Sequence, residues 1–325
     1  MKLRVAVLYG GRSGEHEISV LSARSIIGAM DKRRYEIAEY FISRTGKWEP
    51  GPILPEPDAN PGIDVVFPVL HGTFGEDGTI QGLLELAALP YVGAGVLASA
   101  VSMDKEVAKR LCAERGLPVV DYVTLCRGNL DAGKVERRLD YPVFVKPANL
   151  GSSVGISKAH GRDELLAALK TAAGFDRKVI VERAIEGQEI ECAVLGDDAP
   201  EASTPCEIVP SREFYDYEDK YLLDRTEFKL PAGLAPEEID QVRRLAVECY
   251  KAVECEGMAR VDFLVERSSG DIYINEINTI PGFTAISMFP RMWEHDGLAY
   301  SRLIDRLIQL ALARHRVRQS LRYTR

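Results

Sequence analysis

The segment Met258–Asn278, MARVDFLVERSSGDIYINEIN, constrains the fold more than any other part of this 325-residue chain. Two alternating apolar and polar runs flank the turn sequence RSSGD, so the chain doubles back as a β-hairpin. Side chains alternate across a strand, which places Arg260 and Asp262 on one face of the first strand and Val261 and Phe263 on the other. In the second strand Glu276 and Asn278 share a face, opposite Ile277. An arginine, two carboxylates and an amide can thus converge. Oxygen ligands of this type suit Mg²⁺, whose octahedron is usually completed by substrate phosphates. A solvated polar face with a cross-strand salt bridge is the plain alternative.

The first hundred residues alternate strand and helix. LRVAVLY, YEIAEYFIS and IDVVFPVLHG read as strands, and TIQGLLELAAL as a helix. This order implies an open, mainly parallel sheet with helices against it and a crevice at the strand ends. Its first turn, VLYGGRSGEHEIS, aims backbone N–H groups outward as anion-binding turns do. Yet Glu15 and Glu17 stand at the start of the helix, where they would repel a phosphate. Glu15 could also cap that helix and complement its dipole.

Further on, Ser102 is a plausible N-cap for MDKEVAKRLCAERG. In VFVKPANLGSSVGISK a buried strand delivers Lys146 to a Gly151–Gly155 flap able to lay N–H groups over phosphates. Lys105 offers a second cation. VIVERAIEGQE carries Glu182 and Glu189, with Ala184 and Ile185 offering backbone groups, a pattern suited to adenine and ribose hydroxyls. EFYDYEDKYLLD lies in an irregular stretch, Ser211 to Gly233, that reads as a lid.

The net charge of −8 argues against nucleic-acid binding, and no apolar run is long enough for a membrane span. MKLRVAVLYGG is too short for a secretory signal and ends in glycines, so a cytoplasmic protein is expected. The six cysteines contain no C-x-x-C pair and read as buried free thiols. The tail ARHRVRQSLRYTR reads as a solvated end after the last helix.

Seven stretches, in order, resemble the signatures of the ATP-grasp superfamily and, within it, the D-alanine–D-alanine ligase family. They are GGRSGEHEISVLSA, LHGTFGEDGTIQGLLE, SMDKEVAK, VKPANLGSSVGISK, YDYEDKY, ARVDF and NEINTIPGFTAISMFP. The resemblance spans Val5 to about Leu310. It implies an α/β chain, α+β in its C-terminal part, with a three-domain ATP-grasp fold. The domains would be 1–99 with the first D-alanine site, 100–187 as the central ATP-grasp part, and 188–325 with the mobile loop 211–233.

The resemblance also implies roles. Lys105, Lys146 and Ser153 would meet the ATP phosphates, and Glu182, Ala184, Ile185 and Glu189 would hold adenine and ribose. Asp262, Glu276 and Asn278 would bind two Mg²⁺ ions, with Mn²⁺ as a substitute. Lys220 would reach the transferred phosphate, while Arg260 and the Gly282 N–H would face the oxyanion. Ser287 and Met288 would receive the second D-alanine carboxylate, and His71 would lie near the reacting substrate. Glu15 would bind the ammonium of the first D-alanine and join Ser152 and Tyr221 in closing the lid. The implied partners are ATP and D-alanine, with no nucleic acid, no membrane and a homodimer. An acceptor of D-lactate or D-serine is the rival on the same fold. A dehydrogenase is disfavoured because Gly10, Gly11 and Gly14 lack G-x-G-x-x-G spacing, and the set of metal and phosphate groups argues against a non-catalytic ATP-binding regulator.

Overall fold

The structure, a computed structural model, describes residues 2–152, 154–209 and 227–323. Strand β1 (Leu3–Gly10) buries Val5, Ala6, Val7 and Leu8 completely, because a parallel strand is covered on both faces. Helix α1 (His16–Ala29) carries the chain to β2 (Tyr35–Ile42), followed by β3 (Trp48–Glu49) and β4 (Val65–Val69). The strand order is β3-β2-β1-β4, and β1 runs parallel to both β2 and β4. Helices α2 (Thr79–Leu86), α3 (Val96–Met103) and α4 (Lys105–Glu114) follow.

Ser102 does not cap the Lys105 helix; it is buried inside α3. The cap is Asp104, whose Oδ1 accepts from the N–H groups of Glu106 and Val107, each at 3.2 Å. A carboxylate satisfies free N–H groups and favours the positive end of the helix dipole, so it outcompetes a serine two residues earlier.

The second sheet joins β5 (Tyr122–Cys126), β6 (Val143–Pro147), β7 (Ser157–Ala159) and β8 (Lys178–Arg183), with the short α5 (Ala132–Glu136) after β5. Its order is β5-β8-β6-β7, antiparallel throughout. Helix α6 (Arg162–Phe175) covers one face. Its buried Leu165, Ala168, Leu169, Ala172 and Ala173 repeat at helical spacing and pack on Val143, Val145, Val179 and Val181.

The third sheet holds β9 (Gly187–Leu195), β10 (Glu201–Ala202), β11 (Cys206–Val209), β12 (Glu227–Lys229) and, after α7 (Pro236–Ala252), the hairpin β13 (Met258–Glu266) and β14 (Ile272–Asn278). The described order is β12-β11-β9-β13-β14, with β10 beside β9. Ile190, Cys192 and Val194 of β9 pack with Val261 and Phe263 of β13 and with α7. Their alternate neighbours face away from α7. Ala193, Leu195 and Met258 there join α8 (Met288–His295), α9 (Tyr300–Ser320) and the first sheet in one core.

The arginine-rich tail is mostly helix. Residues through Ser320 belong to α9, and the buried Arg314 donates to the carbonyls of Tyr91 (2.8 Å) and Gly93 (2.5 Å) while stacking on the Tyr91 ring. Arg318 pairs with Glu85 and Glu256. Unsatisfied carbonyls at the edge of the first sheet attract a guanidinium fork, and a solvated end leaves them unpaired. Of the six thiols expected to be buried, Cys126 is exposed. Among the described residues no helix is long and apolar enough to cross a membrane.

Candidate active site

The hairpin register sets Arg260 opposite Asn278 and Asp262 opposite Glu276, so the four predicted residues are brought together. Arg260 grips Asp262 with two bonds, Nε to Oδ1 at 2.7 Å and Nη2 to Oδ2 at 2.6 Å, and lies 3.2 Å from Glu191. Asn278 Nδ2 donates to the same Asp262 Oδ2 at 3.0 Å. Burial opposes the Arg260 charge, yet Asp262 and Glu191 hold the guanidinium more firmly protonated than usual.

Beyond Asp262 the register slips, and Phe263 pairs with Ile274. Asn275 is the extra residue of a β-bulge. The bulge keeps both Ile274 and Ile277 buried while Asn275, Glu276 and Asn278 stay on the accessible side. Asn275 is a site residue that alternation alone does not predict.

Three lysines face this hairpin. Lys105 Nζ lies 3.1 Å from Glu276 and donates to the Leu150 carbonyl at 2.8 Å, at the root of the flap. Lys146, at the end of β6, donates to Glu182 Oε2 at 2.6 Å and to Asn275 Oδ1 at 3.3 Å. Lys109, on the same side of α4 as Lys105, lies 3.0 Å from Glu182 Oε1. Burial penalises the Glu182 charge, but Lys109 and Lys146 together hold its carboxyl down at about 2. Its carboxylate therefore faces lysines. Glu189 lies on β9, opposite Leu264 and Ile208. Ala184 and Ile185 lie in the connection between β8 and β9, and the Ala184 N–H is bonded to the Pro142 carbonyl at 3.1 Å.

Glu15 meets the flap from the side of the first sheet. It occupies the N-cap position of α1, but its side chain makes no capping bond. Its carboxylate instead accepts from the Ser152 hydroxyl, and among the described residues no Lys or Arg pairs with it. Gly72, at φ +73°, sits so close that an added Cβ would lie 2.5 Å from Glu15 Oε2. Gly72→Ala is expected to cost about 1–3 kcal/mol for the left-handed backbone and to push the Glu15 carboxylate away. Thermal melting and turnover would register both effects; an unchanged variant would contradict this geometry. His16 turns to the first sheet, with Nδ1 2.7 Å from the Gly11 carbonyl and its ring edge-on to Phe41, and Glu17 pairs with exposed Arg44.

His71 and Glu76 join this wall to the end of the hairpin. The buried His71 ring bonds through Nδ1 to the Ile280 carbonyl at 2.9 Å and meets Ser22 Oγ through Nε2 at 3.1 Å. Burial lowers its pKa and so favours the neutral ring, against the opposing pull of the Glu15 carboxylate toward the charged form. Its ring nitrogens are thus committed to protein partners. Glu76 accepts from Gly72 N–H (2.6 Å) and Ile280 N–H (3.2 Å). Desolvation, and then the nearby Glu15 charge, push its carboxyl up to about 8. Sequence reasoning missed Glu76, although it sits in GEDG among loop glycines.

Gly282 lies beside Ser287, whose Oγ would be 3.1 Å from an added Cβ. Ser287 is the N-cap of α8 but bonds to Thr284 rather than capping, and Met288 opens the helix as a buried residue. The N–H groups of that first turn are suited to a carboxylate. Ser153, Lys220 and Tyr221, and residues 211–226 of the expected lid, lie outside the described residues; the described end of that stretch is not irregular throughout, since Glu227–Lys229 pairs with β11 as β12.

The oxygen donors fit Mg²⁺ in a particular way. Among the described residues no three His, Cys, Asp or Glu side chains form a metal group by themselves. Two opposed carboxylates and an amide, facing lysines, form a partial ligand set that phosphate oxygens can complete.

Comparison with known proteins identifies the family. The family model described as D-ala D-ala ligase C-terminus matches residues 111–309, and that described as D-ala D-ala ligase N-terminus matches 4–60 and 51–94. A D-alanine–D-alanine ligase of Solibacter usitatus is 67% identical over 325 residues, covering 100% of both chains. The VanG D-Ala:D-Ser ligase of Enterococcus faecalis superposes with a TM-score of 0.88 at 37% identity, covering 96% of this chain and 100% of that one. A D-alanine–D-alanine ligase of Bacillus anthracis, solved in complex with ATP, gives 0.81 at 29% identity, with coverage of 97% and 99%. This chain belongs to the D-alanine–D-alanine ligase family.

Proposed function

We propose that this chain joins two D-alanines to D-alanyl-D-alanine, consuming ATP and releasing ADP and phosphate, as a step in peptidoglycan precursor synthesis. The observation that carries the reading is that two charge systems meet at one flap, Lys105 bonding to Leu150 and Glu15 to Ser152. On one side is the Arg260–Asp262–Glu276–Asn278 hairpin with Lys105 and Lys146. On the other is Glu15, with no cation of its own among the described residues. A polyphosphate and an amino acid are the ligands that such a pair of surfaces holds together.

Glu15 binds the ammonium of the first D-alanine and orients its carboxylate toward the nucleotide. That carboxylate attacks the γ-phosphate, a P–O bond forms as the bond to ADP breaks, and D-alanyl phosphate results. Lys105 and Lys146, with Lys220 and Ser153, offset the charge on the transferred group. Glu182, Ala184, Ile185 and Glu189 line the nucleotide edge. Asp262, Glu276 and Asn278 would hold two Mg²⁺ ions, or Mn²⁺ in their place; when bound, the metal adds positive charge at the phosphate oxygens. The amine of the second D-alanine, its carboxylate held at Ser287 and Met288, then attacks the acyl carbon. Arg260 and the Gly282 N–H stabilise the tetrahedral oxyanion before phosphate leaves. Ser152 and Tyr221 close the site on Glu15, because an acyl phosphate must be kept from water. His71 acts as a brace, with its ring held between Ile280 and Ser22.

Purified chain with ATP, Mg²⁺ and D-alanine should release phosphate and dipeptide in equal amounts, and L-alanine should not substitute. Absence of phosphate release on adding D-alanine would refute the reading. Because the D-Ala:D-Ser ligase shares the fold, D-serine and D-lactate belong in the same assay; preference for either over D-alanine as acceptor would replace it. A cytoplasmic homodimer is part of the reading, and sedimentation of the purified chain tests the dimer.

A further inference from the structure

Lys109 has no role in the scheme above, and its position requires one. It is 2% exposed on α4, one helical turn beyond Lys105. The same face buries Ala108 and Cys112, where an apolar side chain would pack without the desolvation cost of an ammonium. Lys109 Nζ instead reaches Glu182 Oε1 at 3.0 Å and the Ile274 carbonyl at 3.4 Å. Glu182 Oε2 is held by Lys146 at 2.6 Å, and Lys146 also meets Asn275, the bulge residue next to Ile274.

The charges decide the matter. One carboxylate lies between two ammonium groups, so the trio carries +1; without Lys109 it carries zero. We infer that Lys109 is a positioning residue for the nucleotide: it neutralises Glu182 through Oε1, leaving the charge of Lys146 available to the polyphosphate. Through the Ile274 carbonyl it also fixes the bulge that presents Asn275. The inference rests on the ligase reading only in taking ATP as the polyanion that Lys146 meets.

The test uses K109M, which removes charge and donor, and K109Q, which keeps a donor without charge. Mg²⁺-ADP binding is measured by calorimetry without D-alanine, then KM for ATP and for D-alanine by steady-state assay. Removing one nearby charge should weaken ADP binding by about tenfold or more in both variants and raise KM for ATP in parallel. KM for D-alanine should stay within about twofold, because Glu15 is untouched; a fold-wide disturbance would move both constants. ADP affinity at the wild-type level in either folded variant overturns the inference. So does failure of both to fold by circular dichroism, since Lys109 would then be a folding requirement. If only one folds, it decides. A wild-type chain that binds ADP yet makes no dipeptide would overturn the ligase reading and leave this test standing.

Discussion

Glu276→Gln is expected to abolish most turnover while leaving the fold intact. The side chains have the same shape, and Glu276 is partly exposed, so little packing is lost. What changes is the charge directly opposite Asp262 and 3.1 Å from Lys105. Outer partners of a metal site are worth about 10–100-fold, so loss of the proposed direct ligand should cost at least that much in kcat. The Mg²⁺ concentration for half-maximal rate should rise, while Tm shifts by no more than about 0.5 kcal/mol would imply. Near-normal kcat at ordinary Mg²⁺ would remove Glu276 from the metal site.

Arg260→Ala should be more damaging because two effects coincide. Losing a donor aimed at developing charge costs about 10²–10³ in kcat. Asp262 and Glu191 would also lose their shared cation in a partly buried setting, so stability should fall as well, by less than the ~3–5 kcal/mol that breaking a fully buried pair costs. Arg260→Lys separates the effects. It keeps the charge and most of the stability but loses the two-pronged grip on Asp262. We expect kcat to fall in both and Tm to fall far more in the alanine variant. Full activity in folded Arg260→Ala would remove it from the oxyanion role.

The strands that gather the candidate site residues were legible because period-2 alternation fixes which side chains share a face. Arg260, Asp262, Glu276 and Asn278 needed only that rule. Asn275 was hidden by a break in it. Ile272, Ile274 and Ile277 change spacing from two to three, and that skipped beat is the mark of the bulge. Lys109 had a similar signal, a lysine at a beat where α4 otherwise buries Ala108 and Cys112. Asp104 displaced Ser102 as the cap because α3 ends only one residue earlier, a boundary that an alanine-rich stretch does not announce. Arg314 and Glu76 were illegible for a different reason. Their long-range partners, the carbonyls of Tyr91 and Gly93 for one and the Ile280 N–H for the other, are distant in sequence, and no local pattern encodes a tertiary partner.

Ile280 has both backbone polar groups engaged by the first sheet's loop, its N–H by Glu76 and its carbonyl by His71. Pulling that joint apart would strand four hydrogen-bonding groups at once. Entry of a molecule as bulky as a nucleotide must therefore strain some other seam. The tie between Glu15 and Ser152 hangs on a hydroxyl in the glycine flap, so ligand traffic should pass on that side while the Ile280 joint acts as the fixed jaw.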